Sequence, residues 1–126
     1  MGYFKDEHWI IEGDSEALKN LRNEIIDEIN KAFAGEEGAL NYSDYLSPVL
    51  YGLANGYSCL FFMPADGSKE GWTTSNLMDE VREETLKKVI LNNAKNPHDR
   101  IQILRVTVDE FKNKPEADWV VETRQF

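Results

Sequence analysis

The residues best suited to chemistry are sparse in this chain of 126 residues. Histidine occurs twice, at His8 and His98, and cysteine once, at Cys59. His98-Asp99 sets a base beside a carboxylate, but no motif places a nucleophile near it. Two histidines so far apart, with no cysteine pair, make no zinc pattern, so turn and surface roles are expected. Cys59 opens the apolar run Cys59-Leu60-Phe61-Phe62-Met63. A buried, unreactive thiol is expected there, because no base lies nearby in sequence to draw off its proton. The acid pairs Asp27-Glu28 and Glu36-Glu37 would serve acid–base catalysis only inside a cleft that separates their proton affinities. Gly67-Ser68-Lys69-Glu70-Gly71 lacks the spacing of a phosphate loop, and Glu70 would repel a phosphate. Asp66, Ser68, Glu70 and Gly71 match the polarity of the first positions of a calcium loop, but Leu77 stands where the bidentate acid belongs. No cofactor or metal is implied, and Pro64-Ala65-Asp66-Gly67 reads as a turn presenting Lys69 and Trp72.

The elements that must position these residues are easier to read. Tyr3 to Glu12 reads as a strand, ended by Gly13-Asp14-Ser15, where Asp14 or Ser15 can cap a helix. Leu18, Leu21, Ile25, Ile29 and Phe33 then recur at three- and four-residue steps, with Gly35 as the stop. Ser47-Pro48 looks like a cap followed by proline at the first helical position, predicting a short helix over 49–54. Tyr57 to Met63 reads as a covered strand. Thr74 or Ser75 is expected to cap a second long helix over 75–93, with Leu77, Met78, Val81 and Val89 inward, Thr85 between and Leu86 on the flank. Glu83–Lys87 and Glu84–Lys88 are favourable pairs on it. Ile101–Val108 and Trp119–Gln125 read as two further strands. The expectation is a single α+β domain over 1–126: one four-stranded sheet with two long amphipathic helices on one face, in the order β-α-(short α)-β-α-β-β.

Charge narrows the functional classes. The net charge is −9, and residues 1–66 hold 12 acids and 4 bases, whereas residues 67–126 are nearly balanced. Direct nucleic-acid or anionic-membrane binding needs a basic face and is not expected. The N-terminus shows no basic stretch leading into an apolar one, and no run approaches membrane-spanning length, so a cytoplasmic location is expected. The acidic half permits a basic protein partner. Its candidate contacts are Glu24, Asp27, Glu28, Glu36, Glu37 and Asp44, with Tyr42 and Tyr45 as aromatic anchors and Asp66, Lys69 and Trp72 as a separate loop candidate. Acids Glu80, Glu83 and Glu84 are expected to matter less, being balanced by Lys87 and Lys88 on their own helix.

Trp9-Ile-Ile-Glu-Gly-Asp-Ser-Glu-Ala-Leu-Lys-Asn-Leu21 resembles the opening of some small bacterial immunity proteins, where a strand runs through Gly-Asp into an amphipathic helix. Phe62-Met-Pro-Ala-Asp-Gly-Ser-Lys-Glu-Gly-Trp72 is similar to a loop in short uncharacterised bacterial and phage proteins. Neither resemblance brings catalytic residues. The reading is a non-enzymatic partner-binding protein, an immunity-type inhibitor of a basic toxin such as a nuclease. The alternatives are a phage accessory protein that mimics nucleic-acid charge, or a small enzyme or ligand-binding domain built on the 64–74 loop.

Overall fold

Asp14 ends the first strand and starts the first helix. Its carboxylate accepts the free N–H groups of Glu16 and Ala17, at 3.1 and 3.4 Å, which satisfies donors that a helix start leaves unpaired. In the computed structural model, which describes residues 3–35, 45–52 and 59–123, strand β1 spans Lys5–Gly13 and helix α1 spans Ser15–Ala32. Strands β2 (Leu50–Tyr51) and β3 (Cys59–Met63), helix α2 (Thr73–Lys95) and strands β4 (Gln102–Asp109) and β5 (Glu116–Val121) follow.

The five strands form one antiparallel sheet in the order β2-β3-β1-β4-β5. β1 lies at the centre. Ile11 stands opposite Phe61 on one side and Ile103 on the other, and Trp9 stands opposite Met63. Alternation along a strand puts these side chains on one face, and all five are buried. The two helices cover that face with Leu18, Leu21, Ile25, Ile29 and Phe33 from the first and Met78, Val81 and Val89 from the second. All eight were expected to be buried from their spacing. The other face carries the cross-strand row Phe62, Ile10, Leu104 and Trp119, half-buried except for the exposed Phe62. Among the described residues, no helix is long and apolar enough to cross a membrane.

The sheet corrects the expected four strands to five, and the expected short helix is where the difference arises. Leu50 and Tyr51 form an edge strand instead, while residues 53 and 54 lie outside the described set. Ser47 is not a helix cap. Its N–H donates to Phe62 O at 3.1 Å, and its hydroxyl accepts the Phe62 N–H at 2.7 Å. Arg22 donates to the carbonyls of Ser47 and Leu46, at 2.8 and 3.3 Å. With these groups committed to the β3 edge and to α1, the backbone extends and the proline sits at a sheet edge, where its missing N–H costs no ladder bond.

Boundaries move for similar reasons. Helix α1 ends at Ala32, with Phe33 as its cap, rather than at Gly35. Helix α2 begins at Thr73, and its capping position, Trp72, makes no side-chain cap bond. The expected cap Ser75 turns its hydroxyl toward Glu70 instead. β5 begins three residues before Trp119 and ends at Val121. At the far end of α2, the Asn93 amide accepts the Ile101 N–H at 2.8 Å and donates to the Ile101 carbonyl at 2.9 Å. This clasp ties the helix end to the start of β4.

Candidate functional site

The acids of the two helices form one surface. Glu24 and Asp27 are exposed on α1, and Glu28 is half-buried where α1 meets α2. Lys88 reaches across to Glu28 at 3.7 Å, and Lys87 pairs with Glu84 at 3.1 Å. The expected Glu84–Lys88 and Glu83–Lys87 pairs are thus replaced by one cross-helix pair and one pair three residues apart. The consequence is geometric. Glu28, Glu80, Glu83 and Glu84 line one shallow groove of about 540 Å³ with Lys31. A second cleft, of about 310 Å³, continues along the same helix pair past Glu24, Lys88 and Leu91. The acidic residues of the two sequence halves therefore face each other, which the charge count by halves concealed.

A second charged region lies under the loop that joins β3 to α2. A recess of about 300 Å³ is lined by Asp6, Glu7, Asp66, Glu70 and Asp79, with Lys5 and Arg82. The loop above it is held closely. Its glycines Gly67 and Gly71 take φ of 82° and 87°, a conformation that a side chain would strain. Asp66 accepts both the N–H and the hydroxyl of Ser68. The Ala65 N–H donates to His8 Nδ1 at 3.0 Å, and Glu70 N–H donates to Tyr3 O at 2.8 Å.

Arg82 forms the floor of this region and is only 6% exposed. Its guanidinium donates to Glu7 Oε2 at 3.1 Å and to the carbonyls of Glu7 and Pro64 at 2.6 and 3.2 Å. It also lies 4.9 Å from the centroid of the Trp9 ring. Trp9 Nε1 donates to the same Glu7 oxygen, and Glu7 Oε1 faces Arg105 at 3.4 Å. Arg105 in turn pairs with Asp118, which holds the Asp118 carboxyl below the usual carboxylate range. The network runs from α2 through β1 and β4 to β5.

Asp79, at the mouth of the recess, is pushed the other way. Partial burial, then the Glu70 and Glu7 carboxylates, raise its proton affinity against the opposing pull of Arg82. A folded-state pKa above the unfolded value means that keeping Asp79 ionised costs folding free energy at neutral pH. Below the ordinary aspartate pKa both states are protonated and the cost vanishes. Asp79→Asn is therefore expected to raise Tm at pH 7. The gain should shrink as pH falls through the raised pKa toward the ordinary aspartate value. Thermal melts at pH 7 and at about pH 4 test this, and an equal or larger gain at the acidic pH contradicts it.

The structure separates the residues picked from sequence. Glu24, Asp27 and Glu28 share the helical face. Tyr45 is not a surface anchor: it is buried, its hydroxyl donates to Pro64 O, and burial pushes its phenol up to about 12. Tyr42, Asp44, Glu36 and Glu37 lie outside the described residues. Asp66 lines the recess, whereas Lys69 and Trp72 stand beside it, the ammonium 5.8 Å from the indole ring centroid. The residues that sequence reasoning missed are Glu7 and Arg82. The signal was present, because Arg82 falls inside the apolar stripe four residues after Met78. Cys59 is buried at the start of β3. Among the described residues, no three His, Cys, Asp or Glu side chains converge in a metal-binding arrangement. The chain matches no protein-family model and no curated protein.

Proposed function

We propose that this protein acts by binding a basic protein partner, in the manner of an immunity-type inhibitor that covers a basic toxin such as a nuclease. The observation that carries this reading is the shared acidic groove, where Glu28 of α1 meets Glu80, Glu83 and Glu84 of α2. Glu24 and Asp27 extend the acidic surface along α1. The groove is shallow and broad, which suits a protein surface better than a small molecule. Complementary charge accelerates encounter and orients the approaching partner.

The test is to isolate interacting proteins with the full chain, identify them, and measure association by stopped flow at two salt concentrations. A basic partner is expected. The triple reversal of Glu24, Asp27 and Glu28 to Lys should slow its association by about tenfold or more and flatten the salt dependence. Because the groove joins both helices, reversal of Glu80, Glu83 and Glu84 should also slow association. This revises the sequence expectation that the second set is balanced within its own helix. An acidic partner, or a basic one indifferent to both triple variants, would refute the reading.

A further inference from the structure

The end of the sheet where β1 begins gathers three segments of chain. Glu70 N–H donates to Tyr3 O at 2.8 Å and Glu110 N–H donates to Phe4 O at 3.1 Å. Phe4 N–H returns a bond to Glu110 Oε1 at 2.9 Å. These bonds fix Tyr3-Phe4 between the 64–72 loop and the turn from β4 to β5. The result is a cluster of rings facing solvent: Phe4 is 40% exposed, Trp72 52% and Phe111 76%. The Tyr3 and Phe111 rings meet at 5.1 Å with a 51° tilt. Large rings left in water and gathered at one place mark a contact surface more often than chance exposure does.

The same surface already holds a cation. The Lys69 ammonium lies 5.5 Å from the Phe4 ring centroid and 5.8 Å from that of Trp72, within the range of cation–π attraction. Lys5, next to Phe4 in the chain, and Glu70, next to Lys69, line the recess with Asp6, Glu7, Asp66, Asp79 and Arg82, so carboxylates outnumber cations there. Ring faces bordered by carboxylates select a positive group and disfavour an anionic one. Arginine suits the place best, since a guanidinium can stack on a ring while its N–H groups reach a carboxylate.

We infer that this aromatic end docks a basic segment of the protein partner. One arginine or lysine of that segment displaces Lys69 from between Phe4 and Trp72 and turns its charge toward the recess. The inference rests on the basic-partner reading but assigns a contact to a different surface from the α1–α2 groove, so the two can fail separately.

The probe is a nona-arginine peptide, titrated into the full chain at about 0.15 M salt, where surface fields decay over about 8 Å. Tryptophan fluorescence follows binding, and a label on the peptide follows it in variants that lack Trp72. Trp72→Ala and, separately, Phe4→Ala should weaken binding by about tenfold or less each, the range of exposed cation–π contacts. Lys69→Ala should tighten it by vacating the place between the rings. Both aromatic positions are exposed, and circular dichroism checks that the variants stay folded. Unchanged affinity in both aromatic variants, or weaker binding in Lys69→Ala, overturns the inference. If the aromatic variants are silent but reversal of Glu24, Asp27 and Glu28 abolishes binding, the partner reading stands without this site. If neither set has any effect, both readings fall. Concentration-dependent self-association that Trp72→Ala removes would also overturn it, by making this end an interface between copies.

Discussion

Replacing Arg82 by Met is expected to lower the free energy of unfolding by about 3–5 kcal/mol, the usual cost of removing one partner from a buried charge pair. Met has similar length and packs readily, so the loss reports the guanidinium rather than a void. Without Arg82, Glu7 keeps only the more distant Arg105 contact, at 3.4 Å, and the Trp9 N–H. The carbonyls of Glu7 and Pro64 lose a charged donor, and charge-assisted bonds are the stronger kind. Lys at this position should restore less than half of the loss, since an ammonium cannot serve the Glu7 carboxylate and two carbonyls with planar geometry. The double variant Glu7→Gln, Arg82→Met should be less unstable than the sum of the single changes, because it removes the stranded charge. Urea unfolding at pH 7 compares the unsubstituted protein with Arg82→Met, Arg82→Lys, Glu7→Gln and the double variant. A loss below about 1 kcal/mol for Arg82→Met, no more than one ordinary hydrogen bond, would mean that the network does not hold the 64–72 loop and the recess in place.

The elements that could be read from sequence are those whose determinants are local. Helix α1 carries its own capping residue in Asp14 and its own stripe from Leu18 to Phe33, and both act within a few residues. Helix α2 is harder, because its buried face includes Arg82 and Thr85. The Thr85 hydroxyl donates back to Val81 O at 2.8 Å, so a polar residue can be buried in a helix without a distant partner. Arg82 is different: every acceptor it uses lies on β1 or at the β3 terminus, nearly twenty or more residues away. β2 was invisible because two residues become a strand only when the β3 edge supplies bonds, and Ser47-Pro48 otherwise reads as a helix start. The acidic face was half legible. Its carboxylates are plain in the sequence, but their arrangement depends on α1 lying beside α2, which joins Glu28 to Lys88 and brings the later acids into the same groove.

Replacing Ile25 by Ala should cost about 2–5 kcal/mol, the range for deleting most of a large side chain from a close-packed core. Ile25 is fully buried, at 0% exposure. It lies one turn from Leu21 and one from Ile29 on the face that covers Phe61 and Ile11. A well-packed site relaxes only partly around a lost side chain, so a void adds to the lost transfer free energy. Ile25→Val should cost about 0.5–1.5 kcal/mol, because it removes a single methylene. The comparison residue is Ile90 on α2, which is 57% exposed. Ile90→Ala deletes the same atoms from a place where water already reaches them, and it should change stability by about 0.5 kcal/mol or less. Helix propensity pulls both alanine variants the same way, since Ala favours helix over Ile by a few tenths of a kcal/mol, and the difference between them isolates burial. Equal losses at the two positions, or a loss below about 0.5 kcal/mol at Ile25, would show that the face of α1 turned toward the sheet has been misassigned. In that case Glu24, Asp27 and Glu28 would no longer line the outer surface on which the proposed partner contact depends.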